Sequence, residues 1–289
     1  GRYKLKTLVL GKLVGGMTGE AHEICNFPSY GKISGMELMQ KMFQQVSNLG
    51  VNIKQEIVSD ISGDNNSGFK VTTGQSEYFA KKVILATGTE RRKLGLSKEK
   101  ELTGKGVSYC ATCDAGFYKD KTAGVVGGGN SALTAALLLS KFANKVYLFY
   151  RKDAFRKAEH DWVEEVENND KIEVMFNTEV KELIGEEKLE AVKIETKNIP
   201  NGNIEEKEVK LNGIFIEIGS IPQKELAEKI NLETNDQGYV KVNKKQETSV
   251  PGVFTAGDST DNPLKQAITA SSEGAIAAYS AYQEISKKE

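Results

Sequence analysis

The chain has 289 residues, 39% hydrophobic and 27% charged, and its 39 basic and 40 acidic side chains leave a formal charge of −1. That is enough chain for two buried cores, and the near-neutral balance gives no electrostatic reason to expect nucleic acid or an anionic membrane as partner. No apolar run approaches the ~20 residues of a membrane span, and no signal sequence precedes the first strand, so a cytoplasmic protein is expected.

Lys6-Thr7-Leu8-Val9-Leu10 reads as a first short strand, and Gly11 to Gly19 as a glycine-rich loop suited to a ligand or to a plain turn. Ser34-Gly35-Met36-Glu37 is a capping box. It opens a helix with apolar positions at Met36, Leu38, Met39, Met42, Phe43, Val46 and Leu49, closed by Gly50. Short strands are predicted at 51–53, 57–61, 69–73 and 78–80. Val83-Ile84-Leu85-Ala86-Thr87-Gly88 then reads as a buried parallel strand whose end faces a ligand.

The start of Arg91–Lys105 reads as a linker into a second unit, which carries Cys110-Ala111-Thr112-Cys113-Asp114. A C-x-x-C pair can be half a zinc site, a redox disulfide or two buried small residues. Zinc needs four ligands, and the chain adds only Cys25, His22 and His160, with no second pair at ligand spacing. Three cysteines make no disulfide scaffold. The pair beside a β-α unit therefore favours redox chemistry, with no metal. Asp114 places a carboxyl group beside a thiol that must gain and lose a proton. Cys25 reads as an ordinary small apolar residue.

Ala123–Val126 is the unit's first strand, and Gly127-Gly128-Gly129-Asn130-Ser131-Ala132 matches the dinucleotide fingerprint ahead of a helix to Phe142 and a strand at Val146–Tyr150. Gly127, Gly129, Asn130, Ser131 and Ala132 are the candidates for cradling a pyrophosphate at that helix N-terminus. Where an NAD site wants an acid, the chain has Arg151, Lys152 and Arg156, a cationic cluster suited to the 2′-phosphate of NADP. A polar helix follows over 158–168. Strands at 172–176, 179–183, 191–195 and 204–211 read as an antiparallel meander with a hairpin turn at Asn201-Gly202. Gly213–Gly219 closes the unit, and Ile221-Pro222 marks the return.

The last segment complements the first. Thr248-Ser249-Val250-Pro251-Gly252-Val253-Phe254-Thr255-Ala256-Gly257-Asp258 is a turn and a short buried strand ending on an aspartate, and a helix opens at Gln266-Ala267-Ile268. Together with the Cys110–Asp114 motif, the Gly127–Ala132 fingerprint, Val83–Gly88, Lys265-Gln266-Ala267 and Glu23-Ile24-Cys25-Asn26-Phe27-Pro28, this pattern resembles the low-molecular-weight thioredoxin reductases. The resemblance covers essentially the whole chain.

That resemblance implies two α/β nucleotide-binding domains of Rossmann type, an NAD(P)H domain (93–221) inserted into a discontinuous FAD domain (1–92 with 222–289). It implies a homodimer passing electrons from NADPH through FAD to the Cys110–Cys113 disulfide and on to a thioredoxin-like protein. Gly11, Gly15, Gly16, Asn26, Thr87, Gly88, Gly257, Asp258, Lys265, Gln266 and Ala267 would line the FAD site. Cys113 would face the flavin, Cys110 would attack the protein substrate, and Asp114 would carry the proton. It further implies rotation of the inserted domain about Arg91–Gly95 and Gly219–Pro222, so that dithiol and nicotinamide alternate at the flavin. The family's first strand and phosphate loop, roughly 25–30 residues or one β-α unit, would precede Gly1-Arg2. The family's basic motif usually begins His-Arg-Arg, where this chain has Tyr150-Arg151-Lys152. Two other readings stay open: a flavin disulfide reductase serving a glutaredoxin-like or peroxidase-linked carrier, and a non-catalytic nucleotide-binding redox module.

Overall fold

The computed structural model describes residues 1–12, 15–197 and 202–287. Leu13 and Val14 of the glycine loop and Asn201 of the predicted hairpin turn lie outside them. The chain divides into two compact units, one made of Gly1–Glu90 and Ile221–Glu289 and the other of Arg91–Ser220.

The first unit begins with β1 (Leu8–Leu10) and α1 (Gly35–Asn48). Ser34 caps α1 by accepting the Glu37 amide at 3.2 Å, and Gly50, in the left-handed region at φ 72°, carries the chain out of it. Next come β2 (Asn52–Lys54), β3 (Val58–Asp64), β4 (Gly68–Thr73), β5 (Glu77–Ala80), β6 (Val83–Leu85) and β7 (Thr89–Arg91). β1 pairs in parallel with β2, and β3-β4-β5 form an antiparallel meander. The alternating pattern of β4 sends Phe69 and Val71 inward, where they pack with Ile61, Leu85 and Val253.

The second unit carries α2 (Glu99–Leu102), β8 (Val107–Ser108), α3 (Ala111–Asp114), β9 (Thr122–Val126), α4 (Asn130–Ser140), β10 (Lys145–Tyr150), α5 (His160–Glu167) and β11 (Ile172–Phe176). It continues through β12 (Thr178–Ile184), β13 (Ala191–Lys197), β14 (Ile204–Lys210) and β15 (Gly213–Ile216). Its parallel sheet runs β11-β10-β9-β15-β8, with β9 and β10 as continuous apolar strands buried between layers. Only β12-β13-β14 are antiparallel, so the predicted four-strand meander loses its first member. The cause lies at Asn177. It adopts φ 53° and donates its amide to the Lys152 carbonyl, which turns the chain out of the parallel sheet before β12 begins.

The chain then runs through β16 (Ser220–Pro222), α6 (Glu225–Lys229), β17 (Val253–Thr255) and α7 (Ala267–Ser286). β17 pairs in parallel with β6, joining the two chain segments of the first unit. Lys82 meets Glu284, Tyr3 stacks on Tyr282 at 4.3 Å, and Gln223 donates its amide to the Gly88 carbonyl at 3.2 Å. The parallel strands of this unit form two pairs, β1-β2 and β17-β6. Val9 and Ile84 at their centres are 43% and 40% exposed. In the other unit, Arg92 donates to the Gly219 carbonyl at 3.0 Å, so its entry and exit strands are neighbours. Among the described residues, no helix is long and apolar enough to cross a membrane.

Candidate functional site

In the second unit the thiol pair stands directly after β8. That strand is held in register by β15, with Val107 opposite Ile214 and Ser108 opposite Phe215. Cys110 and Cys113 are joined as a disulfide, with Cα atoms 5.3 Å apart across one turn of α3. Their sulfurs are thus bonded to each other, which sets aside the zinc and buried-residue readings of this pair. Cys110 is half-buried, Cys113 is exposed, and the Cys113 amide donates to Cys110 Sγ at 3.2 Å. Asp114 ends the same turn, and its Oδ2 accepts a hydrogen bond from Ser108 Oγ at 2.7 Å.

A cavity of about 200 Å³ opens beside that carboxylate, lined by Ser108, Asp114, Phe117 and Tyr118 among others. Burial pushes the Tyr118 phenol above its ordinary range, and the charge of Asp114 adds to the rise. Neither Ser108 nor Tyr118 was among the sequence candidates. The only trace of Ser108 in the sequence is a hydroxyl two residues ahead of the first cysteine.

The nucleotide turn lies on the same sheet, between β9 and α4. Gly127 adopts φ 149°, and a Cβ there would meet the Glu217 carbonyl oxygen at 2.2 Å and Ala132 Cβ at 2.7 Å. This glycine is demanded by close packing of helix on strand. Gly129 has nothing within 4 Å of where its Cβ would stand, and as N-cap of α4 it supplies no side-chain cap. The open backbone at the head of an apolar helix is what an incoming pyrophosphate requires. Asn130 is engaged by the protein itself: its Nδ2 donates to Glu159 Oε1 at 2.7 Å and its Oδ1 accepts the Glu159 amide at 2.7 Å. Phe155, stacked on Tyr150 at 5.5 Å and edge-on to Phe176, anchors the loop that displays Arg151, Lys152 and Arg156 as exposed cations. Arg156 Nη2 donates to both carboxylate oxygens of Asp153, at 3.0 and 2.8 Å, and holds that carboxyl below its usual range.

In the first unit the structure brings residues from both ends of the chain together. Asn26 Nδ2 donates to Gln266 Oε1 at 3.1 Å across 240 positions. Gln266 and Thr269 form a capping box that starts α7. Gly88 (φ 65°) and Gly257 (φ 81°) sit in left-handed turns after β6 and β17. Glu273, buried and missed by sequence reasoning, accepts the Gly257 amide at 2.8 Å and the Thr260 hydroxyl at 3.2 Å. Asp258 is half-buried, and loss of water raises its carboxyl above the usual carboxylate range. Burial likewise lowers the Lys265 ammonium, which bonds the Thr260 carbonyl and lies 4.4 Å over the Tyr239 ring.

Gly15 (φ 91°) and Gly16 (φ 49°) keep the first loop in turns closed to most side chains. Gly11 and Gly15 flank Met39 and Phe43 in a shallow apolar groove, and Thr87 and Ala267 are half-buried. Half-buried polar groups, an open Gly88 and a helix start built from both chain ends fit a large polar cofactor such as FAD. Cys25, read from sequence as a small apolar residue, is exposed and directs its thiol to Glu23 Oε1 at 3.3 Å. Its neighbour Ile24 takes the inward position of a bridge to Ile33, which turns Cys25 outward.

Residues 2–274 match the family model for pyridine nucleotide-disulphide oxidoreductases. The thioredoxin reductase of Bacillus subtilis is 37% identical over 280 residues, covering 96% of this chain and 87% of its own. That of Peptoclostridium acidaminophilum is 40% identical over 285 residues, covering 96% and 88%. Among solved structures, Lactococcus lactis thioredoxin reductase in its FR conformation superposes with a TM-score of 0.92 at 33% identity, over 99% of this chain and 93% of that one. Thioredoxin reductase of T. acidophilum gives 0.89 at 34% identity, over 98% and 91%.

Proposed function

The chain belongs to the pyridine nucleotide-disulphide oxidoreductase family, and on that premise we propose that it is a thioredoxin-disulfide reductase using NADPH and FAD. The observation that carries the reading is the Cys110–Cys113 disulfide, set beside a hydrogen-bonded carboxylate on the sheet that also bears an open dinucleotide turn.

FAD, when bound, supplies the two-electron relay between NADPH and the disulfide. The chain's own residues do the rest. Gly129 and the head of α4 receive the pyrophosphate, while Arg151, Lys152 and Arg156 receive the 2′-phosphate. Asn26, Gly88, Asp258 and Gln266 hold the flavin. Reduction of the Cys110–Cys113 bond leaves two sulfurs, and Asp114 gives its proton to one of them. Cys110 thiolate then attacks one sulfur of the substrate disulfide, breaking that bond and forming a mixed disulfide. Cys113 thiolate next attacks Cys110 Sγ, which restores the internal bond and releases the reduced substrate. Asp114 recovers its proton in the oxidative half.

Rotation of residues 91–220 between two working positions, and a homodimeric, cytoplasmic enzyme, complete the reading by likeness to that family. Light scattering of the purified protein checks the dimer.

The test is a trap. With Cys113→Ser, the mixed disulfide formed at Cys110 has no enzyme thiol to resolve it, so turnover with oxidised thioredoxin is lost. A thioredoxin whose second cysteine is serine and whose first is activated as an aryl mixed disulfide then accumulates as a stable adduct. A Cys113→Ser protein that turns over, or that forms no adduct while Cys110→Ser does, refutes the assignment.

A further inference from the structure

Ser108 is buried, and its single hydroxyl stands among three polar groups. Oγ lies 2.7 Å from Asp114 Oδ2 and 3.4 Å from the Cys110 carbonyl oxygen, and it accepts the Cys110 amide at 3.1 Å. A hydroxyl carries one proton and two lone pairs. Here the proton has two acceptors to choose between, while one lone pair is already committed to Cys110. The other lone pair is free to accept from a protonated Asp114. The backbone gives Ser108 little room to leave this position. β8 is held by β15, and a Cβ at Gly106 would meet Leu189 Cβ at 2.6 Å.

We propose that Ser108 is the positioning residue of the acid–base group: its hydroxyl donates to Asp114 while the carboxylate is ionised, and turns to the Cys110 carbonyl when Asp114 is protonated. The proton that Asp114 hands to a cysteine sulfur, and later recovers, then changes place without stranding a buried polar atom in either state. The cavity beside Ser108 and Asp114 opens this pair to water, through which the proton exchanges with solvent. Beside Asp114 among the described residues stand Cys110 and Cys113 on its own turn, joined here as a disulfide, and Tyr118, a wall of the same cavity whose phenol feels the Asp114 charge. The cysteines exchange the proton, and among the described residues Ser108 is the side chain that donates a hydrogen bond to Asp114. The proposal rests on the reading of Asp114 as the proton carrier, and the experiment keeps the two apart.

Turnover of the full-length, flavin-loaded enzyme with NADPH and oxidised thioredoxin is recorded from pH 5 to 9, for the unaltered chain and for Ser108→Ala, Ser108→Thr, Ser108→Val and Asp114→Asn. Hydrogen bonds to a charged form favour it, so losing the donor makes Asp114 hold its proton to higher pH. The Ser108→Ala profile is expected to move up by at most about one pH unit, because the lost bond to the ionised carboxylate outweighs the lost bond to the protonated one. Threonine and valine have the same shape and differ by the hydroxyl. The Ser108→Thr variant should therefore restore the profile, whereas Ser108→Val should not. The pH dependence of iodoacetamide labelling of the reduced Cys110–Cys113 pair should move in parallel, and it requires no turnover. Asp114→Asn should lose the limb of the profile that the carboxyl supplies; an Asp114→Asn profile that matches the unaltered chain overturns the reading of Asp114 and the proposal with it. An Asp114→Asn profile that loses this limb while Ser108→Ala is unmoved overturns the role of Ser108 alone, and so does a Ser108→Val protein that behaves like Ser108→Thr.

Discussion

Asp258 lies half-buried behind β17, and removal from water holds its carboxyl above the usual carboxylate range. A carboxyl raised in the folded state favours the fold most below about pH 4, and that support drains away as pH climbs through the folded value. The flavin-free protein should therefore lose stability across that window, and Asp258→Asn should flatten this part of the curve in thermal melts at stepped pH. The same variant should bind flavin roughly tenfold or more weakly by fluorescence titration, since a hydrogen bond to a charged group is lost. Arg151 faces a comparable demand. Without it, the NADPH-to-NADH ratio of kcat/KM should fall roughly 10- to 150-fold. Arg156 should count for less, because Asp153 already occupies two of its donors and must be displaced; an exposed pair of this kind is cheap to break. Arg156 was legible in the sequence as a cation of the cluster. Its partner was not, since Asp153 lies past the strand end with cations on both sides and the sequence does not say which of them it bonds. Ser108 and Glu273 show the same limit, because a single polar residue carries no period and its meaning comes from what the fold brings to it.

The turn between β9 and α4 separates two duties that the fingerprint assigns jointly to its glycines. Gly127 has positive φ and no space for a Cβ, whereas Gly129 has extended backbone and open surroundings. Gly127→Ala should cost about 1–3 kcal/mol of stability through backbone strain and also impair NADPH binding. Gly129→Ala should leave the melting temperature in place while weakening NADPH, because its methyl group intrudes only where the pyrophosphate would lie. Calorimetry and NADPH titration of the two variants check this. Apolar runs made β9, α4 and β10 legible, and the capping box at Ser34 did the same for α1. Ile172–Phe176 was legible as a strand, but it read as part of an antiparallel meander and pairs in parallel instead. Its parallel pairing with β10 comes from the crossover through α5, and the turn at Asn177, in the left-handed region, then takes the chain out of that sheet. α6 went unseen because it is five residues long and buries only Ala227.

At the scale of the whole molecule, the second unit is continuous in sequence and the first is not. With rotation part of turnover, a chemical cross-link that fixes one unit against the other should abolish steady-state activity and leave one half-reaction, flavin reduction by NADPH or electron exchange with the disulfide, measurable in stopped flow. A fragment of residues 91–220 should fold alone, because its entry and exit are tied by the Arg92–Gly219 hydrogen bond and its sheet and apolar clusters lie within it. Its cooperative unfolding and binding of NADPH without flavin are the measurements. The pairing of β6 with β17 has a different consequence, one that concerns the order of events on the ribosome. Residues 83–85 leave the exit tunnel long before residues 253–255 have been made, and the intervening chain includes every strand of the other unit. The nascent protein thus completes its later nucleotide module while the earlier one waits with the edge of β6 that β17 will cover unpaired. A chain arrested when Ser220 has cleared the exit tunnel and residues 253–255 have not should resist protease from about Arg91 onward and be cut freely before it.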